Sequence, residues 1–384
     1  MRFDWNEIAV KPPRLLHVFS TFNVGGPQMR AVQLMNAWGA RYHHLIVSVG
    51  RGELAARERL EATVVADFPA FPDLKSGSLV SRLWAIRTRV RELKPDLVLT
   101  YNWGAMEVVM SARLFGLGPL IHHEDGFGPD EINGQLPRRV WFRRLALPGA
   151  RRLMVPSRTL ERAARQVWLR PQALTGYIPN GVAVDLYDFA PSPTALPRLN
   201  RTDGLLQAGT VAGLRPEKNL KRLVRVFAAA AHDLNARLVI VGTGPEHDGI
   251  LAEAQACNIA DRVHLTGFLA DPHRYAGLFD VFALTSDTEQ FPISLVEAMA
   301  ARLPAVCTGV GDIGEILSPE NLPFVADKGD EAALAEAMRK LLLDANLRGH
   351  IGAANRARVE RDFSLATMIS AYEQAYVAAM DSGA

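Results

Sequence analysis

Short apolar runs alternate with amphipathic segments along nearly the whole chain of 384 residues. Helical periodicity is clear between several of the runs, for example over residues 29–39 and 80–93. Continuous apolar strands separated by helices are typical of parallel sheets covered on both faces. The pattern therefore predicts an α/β protein with two doubly wound domains. The predicted strands lie at residues 15–20, 44–50, 96–101, 119–123 and 152–157 in the first half, and at 205–213, 236–242, 262–268, 280–286 and 303–309 in the second.

A proline-rich stretch without periodicity separates the two series of strands. It reads YDFAPSPTALPRLNRTDG and is typical of a linker. We therefore predict a first domain over 1–187, a linker over 188–204 and a second domain over 205–363. Residues 364–384 contain an amphipathic segment, which either closes the second domain or crosses back to the first.

Charge is unevenly distributed over a chain whose formal net charge is only +2. Residues 1–187 hold 25 Lys and Arg against 16 Asp and Glu, and the remainder holds 18 against 25. The basic half suits an anionic surface or substrate, although drift in surface composition explains it equally well.

Localisation signals are lacking in the sequence. Two cysteines, Cys257 and Cys307, are too few for a disulfide framework or a cysteine-rich metal site. The N-terminus has no continuous apolar run of the signal-peptide type, and no segment reaches the roughly 20 apolar residues of a membrane span. We expect a cytoplasmic protein, with peripheral contact to the inner membrane as an alternative.

The stretch TEQFPISLVEAMA follows a predicted strand and begins a predicted helix. Ser294 is a candidate N-cap with Glu297 at capping-box spacing, and the N–H groups of Ser294, Leu295 and Val296 are then free for a phosphate. Pro292 suits the helix start. Glu297 either caps its own helix or accepts hydrogen bonds from ribose hydroxyls.

Glu289 lies on the loop side of the same stretch. It is either a solvated loop carboxylate or a group that faces the sugar of a nucleotide-sugar beyond the phosphates. The spacing alone leaves the two interpretations equal.

Two cations stand at another strand-to-helix turn, in the segment GLRPEKN. Arg215 and Lys218 could neutralise a diphosphate there, or could be surface charge at a helix start. Because cations at a helix N-terminus oppose the helix dipole, a ligand is mildly favoured.

Two glycine pairs follow predicted strands. Gly242 and Gly244 lie in VGTGPE, and Gly25 and Gly26 lie in FNVGGPQ. They allow backbone to approach a ligand, but tight-turn geometry explains them as well. The full dinucleotide fingerprint is missing, which disfavours a nicotinamide oxidoreductase.

In this order, the GG loop, IPNGV, RPEKN, VGTGPE, HLTGF and EQFPISLVEAMAARLPAVCTGVGDIGEIL resemble family 4 of the retaining glycosyltransferases. The resemblance covers nearly the whole chain and is most specific over 205–317. It implies the GT-B fold, with two Rossmann-like domains facing a cleft. It also implies a nucleotide-sugar donor without a metal ion or other cofactor.

The resemblance assigns roles to the residues identified above. Glu297 would hold the nucleotide ribose, and Glu289 would contact the donor sugar together with the backbone of Phe291, Pro292 and Ile293. Arg215 and Lys218 would hold the diphosphate, and the segment around Gly267 and Phe268 would flank the base.

Two positions depart from the family pattern. Gly213 stands where many members have an arginine five residues before the lysine, so Arg215 would take over that role. Many members also have a histidine before a glycine at the end of a first-domain strand. Here the stretch is IHHEDGFG, and we expect one of His122, His123 or Asp125 to contact the donor sugar or the acceptor.

The function implied is transfer of a sugar, with UDP-sugars favoured, to a hydroxyl of a lipid-linked, glycolipid or polysaccharide acceptor. A non-catalytic nucleotide-sugar-binding protein and a GT-B-shaped epimerase remain alternatives. Turnover with an acceptor separates these classes.

An arginine-rich segment, LPRRVWFRRLALPGARRL, interleaves cations with apolar side chains. Such a pattern suits an anionic membrane surface, contacted through Arg138, Arg139, Arg143 and Arg144. An amphipathic helix packed on the first domain is the simpler alternative. Nucleic acid is disfavoured, because the second half is acidic and no recognition module is present.

Overall fold

The computed structural model describes residues 11–50, 53–127, 131, 134–197, 199 and 204–381. They form two compact units, one of residues 11–178 with 369–381 and one of residues 179–368. The N-terminal segment that we judged unlike a signal peptide, residues 1–10, lies outside the described residues. In the described part of the chain, no helix is both long and apolar enough to cross a membrane.

The first unit is built on a parallel sheet of seven strands, in the order β3-β2-β1-β4-β5-β6-β7. Its strands are β1 (Arg14–Phe19), β2 (His43–Ser48), β3 (Val65–Asp67), β4 (Leu97–Tyr101), β5 (Leu120–His123), β6 (Arg152–Val155) and β7 (Thr175–Tyr177). Its helices include α1 (Gly26–Trp38), α2 (Leu79–Leu93), α3 (Met106–Phe115), α4 (Pro137–Ala146) and α5 (Arg158–Gln166). The central strands are buried on both faces, as their continuous apolar runs predict.

The second unit is built on a parallel sheet of six strands, in the order β10-β9-β8-β11-β12-β13. Its strands are β8 (Leu206–Val211), β9 (Ala236–Val241), β10 (Val263–Gly267), β11 (Val281–Leu284), β12 (Ala305–Thr308) and β13 (Val325–Ala326). Its helices are α6 (Leu220–Ala230), α7 (His247–Ala256), α8 (Ile293–Ala300), α9 (Ile313–Ile316), α10 (Glu331–Leu343) and α11 (Ala345–Asp362). The predicted fold class of two doubly wound α/β units is therefore confirmed.

The first unit ends at Ile178, nine residues before the predicted boundary at 187. The reason is local pairing: Val182 forms a parallel bridge with Ser364 and its N–H donates to the Phe363 carbonyl at 2.9 Å. Part of the predicted linker also packs on the second unit, because Leu196 and Leu199 are buried in its core.

The last helix, α12 (Leu365–Asp381), belongs mostly to the first unit. Tyr372 and Tyr376 are buried there, and the Tyr376 hydroxyl lies 3.0 Å from His123 Nε2. Tyr376 also packs edge-on against Trp38 of α1. The first unit therefore contains chain from both ends of the sequence.

Candidate functional site

The loop between β11 and α8 holds Glu289 in a fixed position at the carboxyl edge of the second sheet. Its carboxylate Oε1 accepts hydrogen bonds from Ser286 Oγ at 2.7 Å and from Lys218 Nζ at 2.6 Å. Only 9% of Glu289 is exposed. The charged pair with Lys218 compensates for this burial, because an isolated carboxylate would be strongly disfavoured. Glu289 is therefore not a solvated loop carboxylate.

A glycine in the loop after β12 packs against the backbone of Glu289. Gly311 has φ +58°, and a Cβ built there would overlap the Glu289 carbonyl. The close approach requires glycine, and the left-handed backbone favours it. The loop after β12 thus packs directly on the backbone of Glu289 at the sheet edge.

The helix α8 begins at Ile293, two residues earlier than the predicted N-cap at Ser294 implies. Pro292 is its N-cap and has no side-chain capping bond, so Ser294 is not the N-cap that we expected. The N–H groups of Leu295 and Val296 donate to the Pro292 carbonyl, at 3.1 and 3.5 Å, and are not free for a phosphate. Within the described chain, the N–H groups of Ile293 and Ser294 have no acceptor. The anion-binding capacity of the helix start therefore lies at these two residues.

Glu297 has no capping role either. Its carboxylate makes no hydrogen bond or ion pair with any described residue, although the side chain is mostly buried. Burial raises the pKa of this carboxyl to about 7. Its charge is close enough to add to the raised pKa of Tyr187 and Tyr275, for which burial is the larger cause. A desolvated carboxylate without a partner is poised to accept hydrogen bonds from a ligand.

Lys218 and Arg215 face different ways. Lys218 ends the 3₁₀ turn Pro216–Lys218 and points inward to Glu289, with 17% of its side chain exposed. Arg215 is 60% exposed and pairs with Glu217 at 3.1 Å. The structure therefore brings Lys218 into contact with Glu289, whereas Arg215, three residues earlier in the sequence, lies at the surface.

A set of polar links fastens the Lys218 turn to the Glu289 loop. Asn219 has φ +45° and caps α6, while its Nδ2 donates to Asp287 at 3.1 Å. Arg222 pairs with Asp287 at 2.8 Å and donates to the Thr285 carbonyl at 2.9 Å. Sequence reasoning missed Arg222 and Asp287, because their partnership joins positions 65 residues apart and neither has a motif of its own.

The glycines after β9 serve loop packing. A Cβ on Gly242 would overlap the Ala212 carbonyl, and one on Gly244 would meet the Leu214 carbonyl. Their φ values of +147° and +159° also disfavour other residues. Gly242 N–H donates to the Gly267 carbonyl at 2.9 Å, and Phe268, next in sequence, is 73% exposed. The glycines therefore bring three loop segments together, with an aromatic ring exposed beside them.

At the start of the first unit, α1 begins directly at Gly26, three residues earlier than the predicted helix. Gly25 is its N-cap, in an extended conformation, and has no side-chain capping bond. A Cβ on Gly26 would meet nothing within 4 Å, whereas one on Gly25 would meet the Gln28 amide. Space above Gly26 is open, as an approach by a ligand requires.

The three candidates after β5 differ in access. His122 and His123 are buried, with 0% and 1% exposed. His122 bonds to Thr100 Oγ1 at 2.9 Å, and both ring nitrogens of His123 are bonded within the unit. Neither imidazole offers surface to a substrate, so the structure leaves Asp125 as the accessible member of the three.

Asp125 is held by two neighbours from distant parts of the sequence. Both carboxylate oxygens bond to the guanidinium of Arg30 on α1, and the Asp125 N–H donates to Asn102 Oδ1 at 2.7 Å. About 11% of the Asp125 side chain remains exposed. Arg30 is a positioning residue that sequence reasoning did not find.

The arginines of α4 do not form the face that the sequence pattern suggested. Arg143 is fully buried and pairs with Glu124 and Glu131, each at 3.3 Å. Arg139 pairs with Glu131 at 2.9 Å. Because acids from elsewhere in the first unit compensate these charges, Arg139 and Arg143 are withdrawn from the predicted anionic contact. Arg138 and Arg144 remain at the surface side of α4, beside exposed Trp141 and Leu145.

In the described part of the chain, no group of three or more His, Cys, Asp or Glu side chains could hold a metal ion.

Two family models match the chain. "Glycosyl transferase 4-like domain" matches residues 25–181, and "Glycosyl transferases group 1" matches residues 195–358. Together they include the loops described above in both units.

Among curated proteins, N-acetyl-alpha-D-glucosaminyl L-malate synthase of Bacillus anthracis is 30% identical over 166 residues, 43% of this chain and 44% of that protein. The GDP-mannose-dependent alpha-(1-6)-phosphatidylinositol monomannoside mannosyltransferase of Mycobacterium tuberculosis is 32% identical over 200 residues, 48% of this chain and 51% of that protein. The chain thus spans about half the length of the curated relatives it matches.

Among solved structures, Anabaena Alr3699/HepE in complex with UDP is similar, with a TM-score of 0.78 and 20% identity over 96% of this chain and 100% of that one. At this identity the similarity shows the fold. With the two family models and this fold, the chain belongs to the group 1 glycosyltransferases, the family 4 type with the GT-B fold.

Proposed function

We propose that the protein transfers a sugar from a nucleoside diphosphate sugar to a hydroxyl group of an acceptor, with retention at the anomeric carbon. The observation that carries the proposal is the half-buried carboxylate of Glu297, which has no partner among the described residues, beside a helix start with two N–H groups that are likewise free of described partners. These groups complement a ribose and a phosphate, which are joined in a nucleotide.

The donor occupies the carboxyl edge of the second sheet. Glu297 accepts hydrogen bonds from the ribose hydroxyls, and the N–H groups of Ile293 and Ser294 donate to the diphosphate. The exposed ring of Phe268 stacks on the base. Glu289, held by Ser286 and Lys218, accepts a hydrogen bond from the donor sugar.

Charge stabilisation of the leaving group is the main catalytic contribution. Lys218 has three N–H donors and uses one of them for Glu289, so the others can reach a phosphate oxygen. Arg215 adds a second, exposed cation. As the sugar–phosphate bond breaks, negative charge grows on the diphosphate, and fixed cations and N–H donors stabilise it. The acceptor hydroxyl then attacks the anomeric carbon from the face that the leaving group vacates, and its proton passes to an oxygen of the departing diphosphate.

The first unit supplies the acceptor site. Asp125 is fixed by Arg30 and has exposed surface, so it is the candidate to contact a sugar hydroxyl. UDP is the preferred nucleotide in our proposal, supported by the UDP complex of the similar Anabaena protein. The name of the M. tuberculosis relative, with its phosphatidylinositol substrate, supports a lipid-linked or glycolipid acceptor.

Such an acceptor calls for contact with a membrane surface. The exposed side chains Trp141 and Leu145, flanked by Arg138 and Arg144, form a small apolar and cationic patch on α4. Trp141→Ser should reduce co-sedimentation with phosphatidylglycerol vesicles without changing nucleotide affinity. Unchanged sedimentation would remove this patch from the proposal.

Calorimetric titration of UDP, GDP and ADP into wild type and Glu297→Gln tests the donor site. We expect selective binding of UDP and a loss of about 10- to 100-fold in affinity in the variant, the range for hydrogen bonds to a charged group. Glu336→Gln, at an exposed position of α10 in the same unit, is the matched control. Equal affinities in all three proteins would contradict the assignment of Glu297.

Turnover is then measured as UDP release from UDP-sugars with lipid-linked acceptors. Binding without turnover across donors and acceptors would favour the non-catalytic alternative.

A further inference from the structure

A small pocket at the amino edge of the first sheet is lined by three arginines. It has a volume of about 440 Å³ and lies against the start of β6 and the end of α12. Its cationic lining residues are Arg151, Arg152 and Arg170, and its walls are completed by small or apolar side chains such as Pro148 and Leu174. The pocket is at the opposite edge of the sheet from Asp125, because Arg152 begins its strand and Asp125 follows the end of its own.

Arg170 is the central observation. It is only 6% exposed, yet its guanidinium makes no ion pair with any described residue. Its Nη2 donates to the carbonyls of Ala150 and Arg151, and its Nε is buried without an acceptor. Burial lowers the pKa of Arg170, and no neighbouring carboxylate opposes that effect. A buried charge is normally paired, so Arg170 is available to an anionic ligand.

The other two arginines add to the positive charge of the pocket. Arg151 Nη1 donates to the Ala379 carbonyl at 3.0 Å, and Arg152 is exposed. Within the described ranges, neither pairs with a carboxylate. No acidic residue lines the pocket, and Asp381, the nearest acid along α12, is exposed two residues beyond Ala379. Within the part of the chain that the structure describes, three arginines therefore line one pocket without a compensating negative charge.

We propose that this pocket binds a phosphate group. Guanidinium groups are the preferred partners of phosphate oxygens, which they bind in a bidentate manner. The apolar walls leave room for a carbon substituent, so the ligand is a phosphate monoester or diester, either free in solution or in a lipid headgroup. The inference is independent of the donor site, which lies in the other unit.

The test uses the full chain in a Lys218→Ala background, which weakens phosphate binding at the donor site. Glycerol 3-phosphate is titrated by calorimetry into this protein and into three derivatives that add Arg170→Gln, Arg152→Gln or Arg165→Gln. Arg165 is an exposed arginine on α5 outside the pocket and is the charge-matched control. Arg152 is exposed, so its replacement leaves the core intact even where Arg170→Gln affects folding.

We expect one bound phosphate and at least a ten-fold loss of affinity in both pocket variants, with no loss in the Arg165 control. A second arm measures co-sedimentation with phosphatidylglycerol and phosphatidylcholine vesicles. Arginine-dependent binding of glycerol 3-phosphate identifies a soluble ligand, and arginine-dependent binding only to phosphatidylglycerol vesicles identifies a lipid. If Arg152→Gln changes neither kind of binding, or Arg165→Gln changes them equally, the proposal is overturned.

Discussion

The carboxyl edges of the two sheets carry similar kinds of polar groups but differ in how many of them have internal hydrogen-bond partners. In the first unit, His123 is bonded through both ring nitrogens and Asp125 is paired through both oxygens. In the second unit, Glu297 and the N–H groups of Ile293 and Ser294 have no partner among the described residues. Internal bonds hold a polar group in a fixed position, as they do for Asp125, whereas partly buried groups without an internal partner indicate a place for a ligand.

The same contrast appears in the way each unit responds to protons. In the first unit, His17 Nδ1 bonds to the Tyr101 hydroxyl and His17 Nε2 to His44, both at 3.0 Å. Burial holds the pKa of His17 and His123 well below 6.5 and lowers that of His44 to about 4. In the second unit, burial raises the pKa of Glu297 instead.

These shifts have opposite consequences for stability. Below pH 6.5 the unfolded chain protonates its histidines while the folded first unit does not, so that unit loses stability as the pH falls. Between pH 4.5, the ordinary pKa of a glutamate, and about 7, folded Glu297 keeps a proton that the unfolded chain has released. Its contribution to stability therefore falls as the pH rises through that window.

The largest expected effect concerns Lys218. Lys218→Ala removes the cation that faces the leaving diphosphate and should lower kcat by about 10²- to 10³-fold. Lys221→Ala is the matched control, because Lys221 pairs with Glu246 and has no bond to the Glu289 loop. Steady-state kinetics of both variants decide the point. Similar losses in the two would mean that a general loss of positive charge, and not the position of Lys218, matters.

Glu297 gives the sharpest test of the comparison. In the absence of nucleotide, Glu297→Gln should stabilise the second unit by about 2 kcal/mol at pH 8, where the buried charge is removed. At pH 4 the carboxyl is protonated in both states, and the variant should gain nothing. Hydrogen exchange of the β11 and β12 amides at the two pH values measures the difference. A variant less stable at pH 8 would show that the carboxylate has an internal partner.

Tyr376 gives the corresponding test in the first unit. Tyr376→Phe leaves His123 Nε2 buried without its partner and should destabilise that unit by about 1–3 kcal/mol. Nucleotide affinity, which belongs to the second unit, should not change. Gln374→Ala, an exposed position on the same helix, serves as control in urea unfolding. A loss of nucleotide affinity in Tyr376→Phe would show that the effect of this hydrogen bond is not confined to the first unit.

The sequence predicted the central strands well, because continuous apolar runs fit few other environments. It missed β3, β7 and β13, which have only two or three residues each and lie toward or at the sheet edges, where burial is incomplete. Local patterns were also ambiguous where two principles compete. Ser294 and Glu297 have capping-box spacing, but Pro292 takes the N-cap position and leaves the glutamate free.

The remaining features depend on partners far apart in the chain. Arg143 is in an arginine-rich stretch, and only the fold brings Glu124 and Glu131 to it. Asp125 likewise meets Arg30 across 95 positions. Residue type and spacing identify which groups are able to carry out the chemistry, whereas the tertiary contacts decide which of them are already occupied.

Gly311 is the point at which the loop after β12 packs on the loop after β11. A Cβ at position 311 would overlap the Glu289 carbonyl, so the loop after β12 and the loop after β11 approach each other this closely only with glycine there. A side chain at position 311 would therefore displace the Glu289 backbone and with it the carboxylate. A glycine in the loop after β12 thus helps to determine the position of Glu289 in the loop after β11.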